Sequence, residues 1–167
     1  MNLSRDLGII ARQERELTFP EFDEETAWKL GMQLRELAAA RRLPVAIEIK
    51  RFGQPLFYSA LSGSTPDNAE WVRRKGNVAG RFHRSSYAIG LALKQTNSTL
   101  AAKYELTSSD YASHGGSFPL KVVGAGVIGS VTVSGLPQRA DHELVVETLC
   151  HLLGRNYSEF ALPPGTD

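Results

Sequence analysis

Residues 118–134 constrain this chain more than any other segment. Phe118-Pro119-Leu120-Lys121-Val122-Val123 and Val127-Ile128-Gly129-Ser130-Val131-Thr132-Val133-Ser134 are two apolar, β-branched runs around Gly124-Ala125-Gly126. Glycines at that spacing permit a tight turn, so the runs close as an antiparallel hairpin. The same pattern stands earlier in the chain. Val45, Ile47 and Ile49 alternate with Ala46, Glu48 and Lys50, Gly53-Gln54-Pro55 turns, and Leu56-Phe57-Tyr58-Ser59-Ala60-Leu61 returns. Two hairpins argue against a parallel sheet, whose strands need long crossovers.

Helical spacing accounts for most of the remainder. Leu3, Leu7 and Ile10 mark a short amphipathic helix that Phe19-Pro20 breaks. Asp23 is the N-cap of a second helix, with Glu24 and Glu25 where the helix dipole favours them and Ala27, Leu30, Leu34, Leu37 and Ala38 as its stripe. Asp67 or Asn68 caps a third, through Trp71 to Phe82, and Ser85 and Ser86 begin a piece running from Tyr87 to Lys94. Residues 95–117 have no clear period. A last helix spans Gln138 to Gly154, with Leu144, Val145, Thr148, Leu149 and Leu152 inward.

The expected fold is therefore α+β, a single domain with an antiparallel β-sheet flanked by helices. Helices cover one face; the remaining helices, or another subunit, cover the other. The 167 residues suffice for a core that removes roughly two-thirds of the unfolded surface from water. Residues 1–18 form a helical segment expected to face a second copy, because Phe19-Pro20 would let it swing from the body. Residues 19–154 form the domain, and 155–167 are expected to be a mobile tail.

Charge and cysteine content narrow the function classes. The 19 basic and 18 acidic residues leave a net charge of +1, which argues against a dedicated nucleic-acid binder. The single cysteine, Cys150, excludes an intrachain disulfide and reads as a buried, inert thiol. No run approaches the ~18 apolar residues of a membrane span, and the charged N-terminus has no secretory h-region, so the expectation is a cytoplasmic protein with no membrane partner.

Several motifs fail on context. Gly124-Ala125-Gly126-Val127-Ile128-Gly129 fits G-x-G-x-x-G but leads into a strand, whereas a dinucleotide site needs a helix there. His142 and His151, nine residues apart on one helix, point to opposite faces and cannot share an ion. His83 and His114 have no second ligand at a recognisable spacing, so no metal site is expected. Ser130 lacks the strand-turn-helix elbow of a nucleophile.

Two stretches carry more. Trp71, Lys75, Val78 and Phe82 share one helix face, which centres a lysine on an apolar stripe. Either its ammonium snorkels to water, or it enters a pocket toward an anion or carboxylate. Arg74 and Arg81 flank that stripe, as a solvated basic edge or as contacts for an acidic ligand. In His114-Gly115-Gly116-Ser117-Phe118-Pro119 the glycines permit positive φ and close backbone approach, and their N–H groups can meet anionic oxygens. Alternatively the loop merely turns into the third strand.

Taken together, Asp67-Asn68…Trp71…Arg74-Lys75, Arg81-Phe82-His83-Arg84-Ser85-Ser86, Gly115-Gly116-Ser117-Phe118-Pro119 and Ile128-Gly129-Ser130-Val131-Thr132-Val133-Ser134-Gly135-Leu136-Pro137-Gln138…Asp141-His142 resemble the haem-degrading domain family of GlcG and HbpS. The likeness runs from Phe19 to Leu153. It implies a profilin-like α+β domain that assembles into homo-oligomers and, in the haem-handling branch, binds or slowly degrades haem. That branch has one residue between the glycine pair and the proline, where this chain has Ser117 and Phe118. No motif places an iron ligand.

Three functions follow as expectations. The first is a binder of haem or another carboxylate-bearing small molecule, with Lys75, Arg81, His83, Ser85, His114, Gly115, Gly116 and Ser117 as the candidate ligand-binding set. The second is a non-catalytic homo-oligomeric interaction protein. The third is an enzyme acting on a small substrate.

Overall fold

The computed structural model describes residues 2–164. The elements run α1 (Leu3–Glu16), α2 (Glu24–Ala40), β1 (Ala46–Arg51), β2 (Gln54–Ala60), α3 (Pro66–Phe82), α4 (Ser86–Gln95), α5 (Leu100–Tyr104), β3 (Ser117–Val122), β4 (Gly126–Ser134) and α6 (Gln138–Leu152). A 3-10 turn at Tyr157–Glu159 follows. The strands form one antiparallel sheet in the order β2-β1-β4-β3. Each sequence-expected hairpin is present, and the β1–β4 ladder, from Ala46 opposite Ser134 to Arg51 opposite Gly129, joins them. The fold is α+β with a single sheet, as expected.

Period-two alternation gives the sheet two unlike faces. Ile47, Ile49, Val131, Val133, Phe118 and Leu120 point into the main core, against Leu30, Leu34 and Ala38 of α2 and Val145 and Leu149 of α6. The opposite face presents Ser117, Ser130 and Thr132, all buried, toward α3. The second face is thus covered within the chain by α3. Gly76 of α3 lies over Thr132 and Ser130, where the missing side chain lets the helix settle on the hydroxyls.

The helix ends follow from their caps. Asp23 accepts the Thr26 N–H at 2.7 Å. The N-cap of α3 is Thr65, not Asp67 or Asn68; Pro66 takes the first helical position, and the Asn68 side chain accepts the Thr65 N–H at 2.7 Å. Ser85 caps α4 through the Ala88 N–H. The stretch without a clear period contains the short α5, capped by Thr99.

Both terminal segments differ from expectation. α1 does not swing away. Phe19 is pinned to β3, its N–H donating to the Lys121 carbonyl at 2.8 Å and its carbonyl accepting from Val123 at 2.9 Å. Ile10 is fully buried against Tyr87, Ala88, Leu91 and Leu162 of the same chain, with Leu3 and Leu7 beside them. Nor is 155–164 a loose tail, because Phe160 is inserted in the main core at 1% exposure. Gly165-Thr166-Asp167 lie outside the described residues.

A buried polar strap ties these segments to α6. Arg139 donates to Asp6 at 2.9 Å and to the Tyr87 hydroxyl at 3.4 Å. Gln13 Nε2 donates to the Phe160 carbonyl at 2.7 Å, so its Oε1 accepts, and His142 Nε2, at 2.9 Å, carries the proton.

Candidate functional site

The α3 face places Lys75 inward, between buried Val72 and Val78. The snorkelling alternative fails, since Lys75 is 3% exposed and its ammonium does not reach water. Nζ instead donates to Asp141 at 2.8 Å and to the Val133 carbonyl at 3.2 Å. Asp141 lies in the first turn of α6, and it also accepts the Leu136 N–H at 3.0 Å. Burial lowers the lysine's pKa against the opposing pull of Asp141. Burial raises the aspartate's against the pull of Lys75.

The glycine pair seals this arrangement. A Cβ on Gly115 would stand 2.0 Å from the Gln138 carbonyl oxygen. Gly116 has φ +131°, and a Cβ there would come 2.2 Å from the Val133 carbonyl oxygen and 2.9 Å from Lys75 Nζ. These glycines serve close approach, and the Gly115 N–H already donates to Gln138 Oε1 at 3.4 Å.

His114, just before the pair, meets the Trp71 ring edge-on at 5.1 Å between centroids. Two clefts share the wall made by Trp71, His114 and Gln138. The larger, about 700 Å³, is bounded by α3, α4, α5 and the 106–114 segment, with apolar Leu91, Leu93, Leu100 and Leu106 and basic Arg74 and Lys94. The smaller, about 250 Å³, reaches Lys75 and Asp141 past Asn68, Ser134 and Leu136.

In the larger cleft the Arg74 guanidinium stacks over Trp71 at 4.2 Å and donates to the Ser108 carbonyl. Among the described residues neither Arg74 nor Lys94 has a carboxylate partner. Burial, then the charges of Lys75 and Arg74, holds the His114 imidazole below its ordinary pKa, which favours the neutral ring.

The expected ligand-binding residues do not form one site. Lys75, His114, Gly115 and Gly116 come together. Arg81 and His83 line a separate cleft of about 560 Å³ with Lys50, Gly129 and Ser130, where Arg81 lies 5.9 Å from the Tyr111 ring centroid. Ser85 is consumed as the α4 cap, and its N–H donates to Glu14. Ser117 is buried in β3, its hydroxyl 2.8 Å from that of Thr132. Both are buried among protein partners, the Ser85 hydroxyl spent on a helix-start N–H and the Ser117 hydroxyl on a cross-strand hydroxyl.

Sequence reasoning missed Asp141, Gln138 and Lys94. Asp141 carried one usable signal: an acidic residue in the first turn of a helix following Gly135-Leu136-Pro137. The mean hydropathy pattern of α6 gave no hint that this carboxylate is buried.

The HbpS-like model of the haem-degrading proteins matches residues 22–150. The chain belongs to this family. Within it, the chain is 63% identical over 162 residues to a UPF0303 protein of Paraburkholderia phymatum, covering 97% of this chain and 98% of that one. The HbpS-like fold also superposes on the crystal structure of the Ybr137w protein, with a TM-score of 0.82 and 30% identity over 89% of this chain and 87% of that one. The crystal structure of the PduOC–heme complex matches with a TM-score of 0.67 at 17% identity, over 78% of this chain and 94% of the other, and shows a shared fold.

Proposed function

We propose that this HbpS-like chain binds a planar, carboxylate-bearing small molecule in the cleft of Trp71, Arg74, Lys94 and His114, with haem as the type case. The observation that carries this is a cleft with apolar walls and two cations that lack carboxylate partners among the described residues. Ligand pockets combine an apolar lining with a few polar groups of this kind. Its volume, about 700 Å³, lies in the usual range for small-molecule sites. Family membership and the heme complex of the PduOC neighbour support the choice of haem.

The residues present fit that group. His114 is solvent-accessible, and its ring nitrogens have no hydrogen-bond partner among the described residues. A neutral imidazole is a competent iron ligand. Arg74 and Lys94 supply the positive charge that propionates need, and Leu91, Leu93, Leu100 and Leu106 supply apolar walls. A bound haem would supply redox chemistry; this chain would bind it, orient it and limit water on its apolar side.

The test is a haemin titration followed by Soret absorbance at moderate ionic strength. Reversing both charges, Arg74→Glu with Lys94→Glu, is expected to weaken binding about tenfold or more, ~1.4 kcal/mol. A porphyrin whose carboxylates are esterified should lose the same advantage. Equal affinity for the wild type and the charge-reversed variant would overturn the assignment.

Self-association is a second reading, supported by a different surface. β2 is an edge strand, and Tyr58 on it, Trp28 packed edge-on to Phe57, and Phe52 in the β1–β2 turn are all exposed. Unpaired edges with apolar surface invite pairing with another copy.

A further inference from the structure

An ammonium cancelled by its own carboxylate is a poor anchor for an anion. Lys75 and Asp141 are 2.8 Å apart with side chains 4% and 1% exposed, yet both line the cleft of about 250 Å³ beside Asn68 and Gln138. A buried pair of this kind is a weak source of stability, because both charges lose their hydration. Gly116 packs directly against Nζ, and any side chain there would begin 2.9 Å from the nitrogen. Burial dominates both groups and drives them the same way, the lysine toward its neutral amine and the aspartate toward its acid.

From this placement we infer that Lys75 is a nucleophilic amine for small carbonyl compounds, an aldehyde or 2-oxo acid entering the smaller cleft. The Nζ ammonium first passes one proton to the Asp141 carboxylate, 2.8 Å away, and the freed lone pair forms a bond to the carbonyl carbon as the C=O π bond opens onto oxygen. One proton passes from nitrogen to that oxygen, giving a carbinolamine. The C–O bond then breaks, and the acid proton of Asp141 leaves with the hydroxyl as water. The product is an iminium on Lys75 facing the Asp141 carboxylate. No electrons are gained or lost overall. Asn68 and Gln138 offer amide groups to the carbonyl compound's polar end. This chemistry does not require haem in the larger cleft.

Glyoxylate with borohydride reduction, followed by peptide mass mapping, tests the inference. The chain has six lysines, and Lys29 and Lys103 serve as exposed references. At sub-saturating glyoxylate, Lys75 is expected to carry the reduced adduct at about tenfold the level of either reference, as an activated amine should. Adducts on Lys29 and Lys103 with Lys75 unmodified would overturn it. The paired variant Lys75→Met with Asp141→Leu removes both charges together, which buried pairs tolerate better than loss of one. It should lose the saturable component of labelling, and retention of that component would also overturn the inference. The haemin titration reports separately on the larger cleft, so either assignment can fail alone.

Discussion

At the scale of single residues, burial decides what each polar group can do. His142 is fully buried, donates through Nε2 to Gln13, and has no partner on Nδ1 among the described residues. Burial, then the charge of Arg139, pushes its pKa down to about 3. In the unfolded chain the imidazole titrates near 6.5, so below that pH the unfolded state binds the proton and the folded state does not. The penalty is absent above about 6.5 and grows as pH falls toward about 3, at up to ~1.4 kcal/mol per pH unit. Between pH 6 and 4, urea denaturation should show the wild type losing stability more steeply than His142→Leu by about that slope. The variant will itself be weaker at pH 7 by roughly 1–3 kcal/mol, since Gln13 Oε1 is left unpaired. Parallel pH profiles for the two proteins would contradict the assignment of a buried neutral His142. Lys75 shows the same principle. Its position on the α3 stripe was legible, but its partner was not, because Asp141 lies 66 residues away and is brought near only by folding.

At the scale of elements, local patterns carried the fold and long-range packing decided the rest. The hairpins were legible because alternation and turn glycines are local signals, as were the Asp23 and Ser85 caps. The C-terminal segment was not, because Pro163-Pro164-Gly165 reads as a tail while a single aromatic, Phe160, anchors it. That anchor is testable. Removing a fully buried ring costs about 3–5 kcal/mol, so Phe160→Ala should shift the urea midpoint accordingly and expose 155–164 to proteolysis. A loss under about 1 kcal/mol would mean that the segment does not belong to the core. α1 was legible as an amphipathic helix, but its docking surface was not. Its stripe meets Tyr87 and Leu91 of α4, which no local pattern links to it. The candidate site suffered from the same limit. Arg81 and Lys75 lie on one helix, six residues apart, and their side chains serve different clefts.

At the scale of the whole molecule, one sheet with an apolar and a hydroxyl-rich face is enclosed by helices of the same chain, and the β2 edge and the clefts beside α3 are surfaces it presents among the described residues. For the edge, light scattering at micromolar concentration should give a mass that is a multiple of 18.3 kDa. Tyr58→Asp with Trp28→Ser should lower it; a wild-type mass of one chain would contradict self-association. For the clefts, the central claim is that His114 and its neighbours form the ligand site. The most direct measurement is the Soret spectrum of the haemin complex of the wild type beside that of His114→Ala, with circular dichroism to verify that both are folded. The account predicts a saturable complex whose band shifts, and whose affinity falls, when the imidazole is removed. Identical spectra and affinities for the two proteins would contradict it.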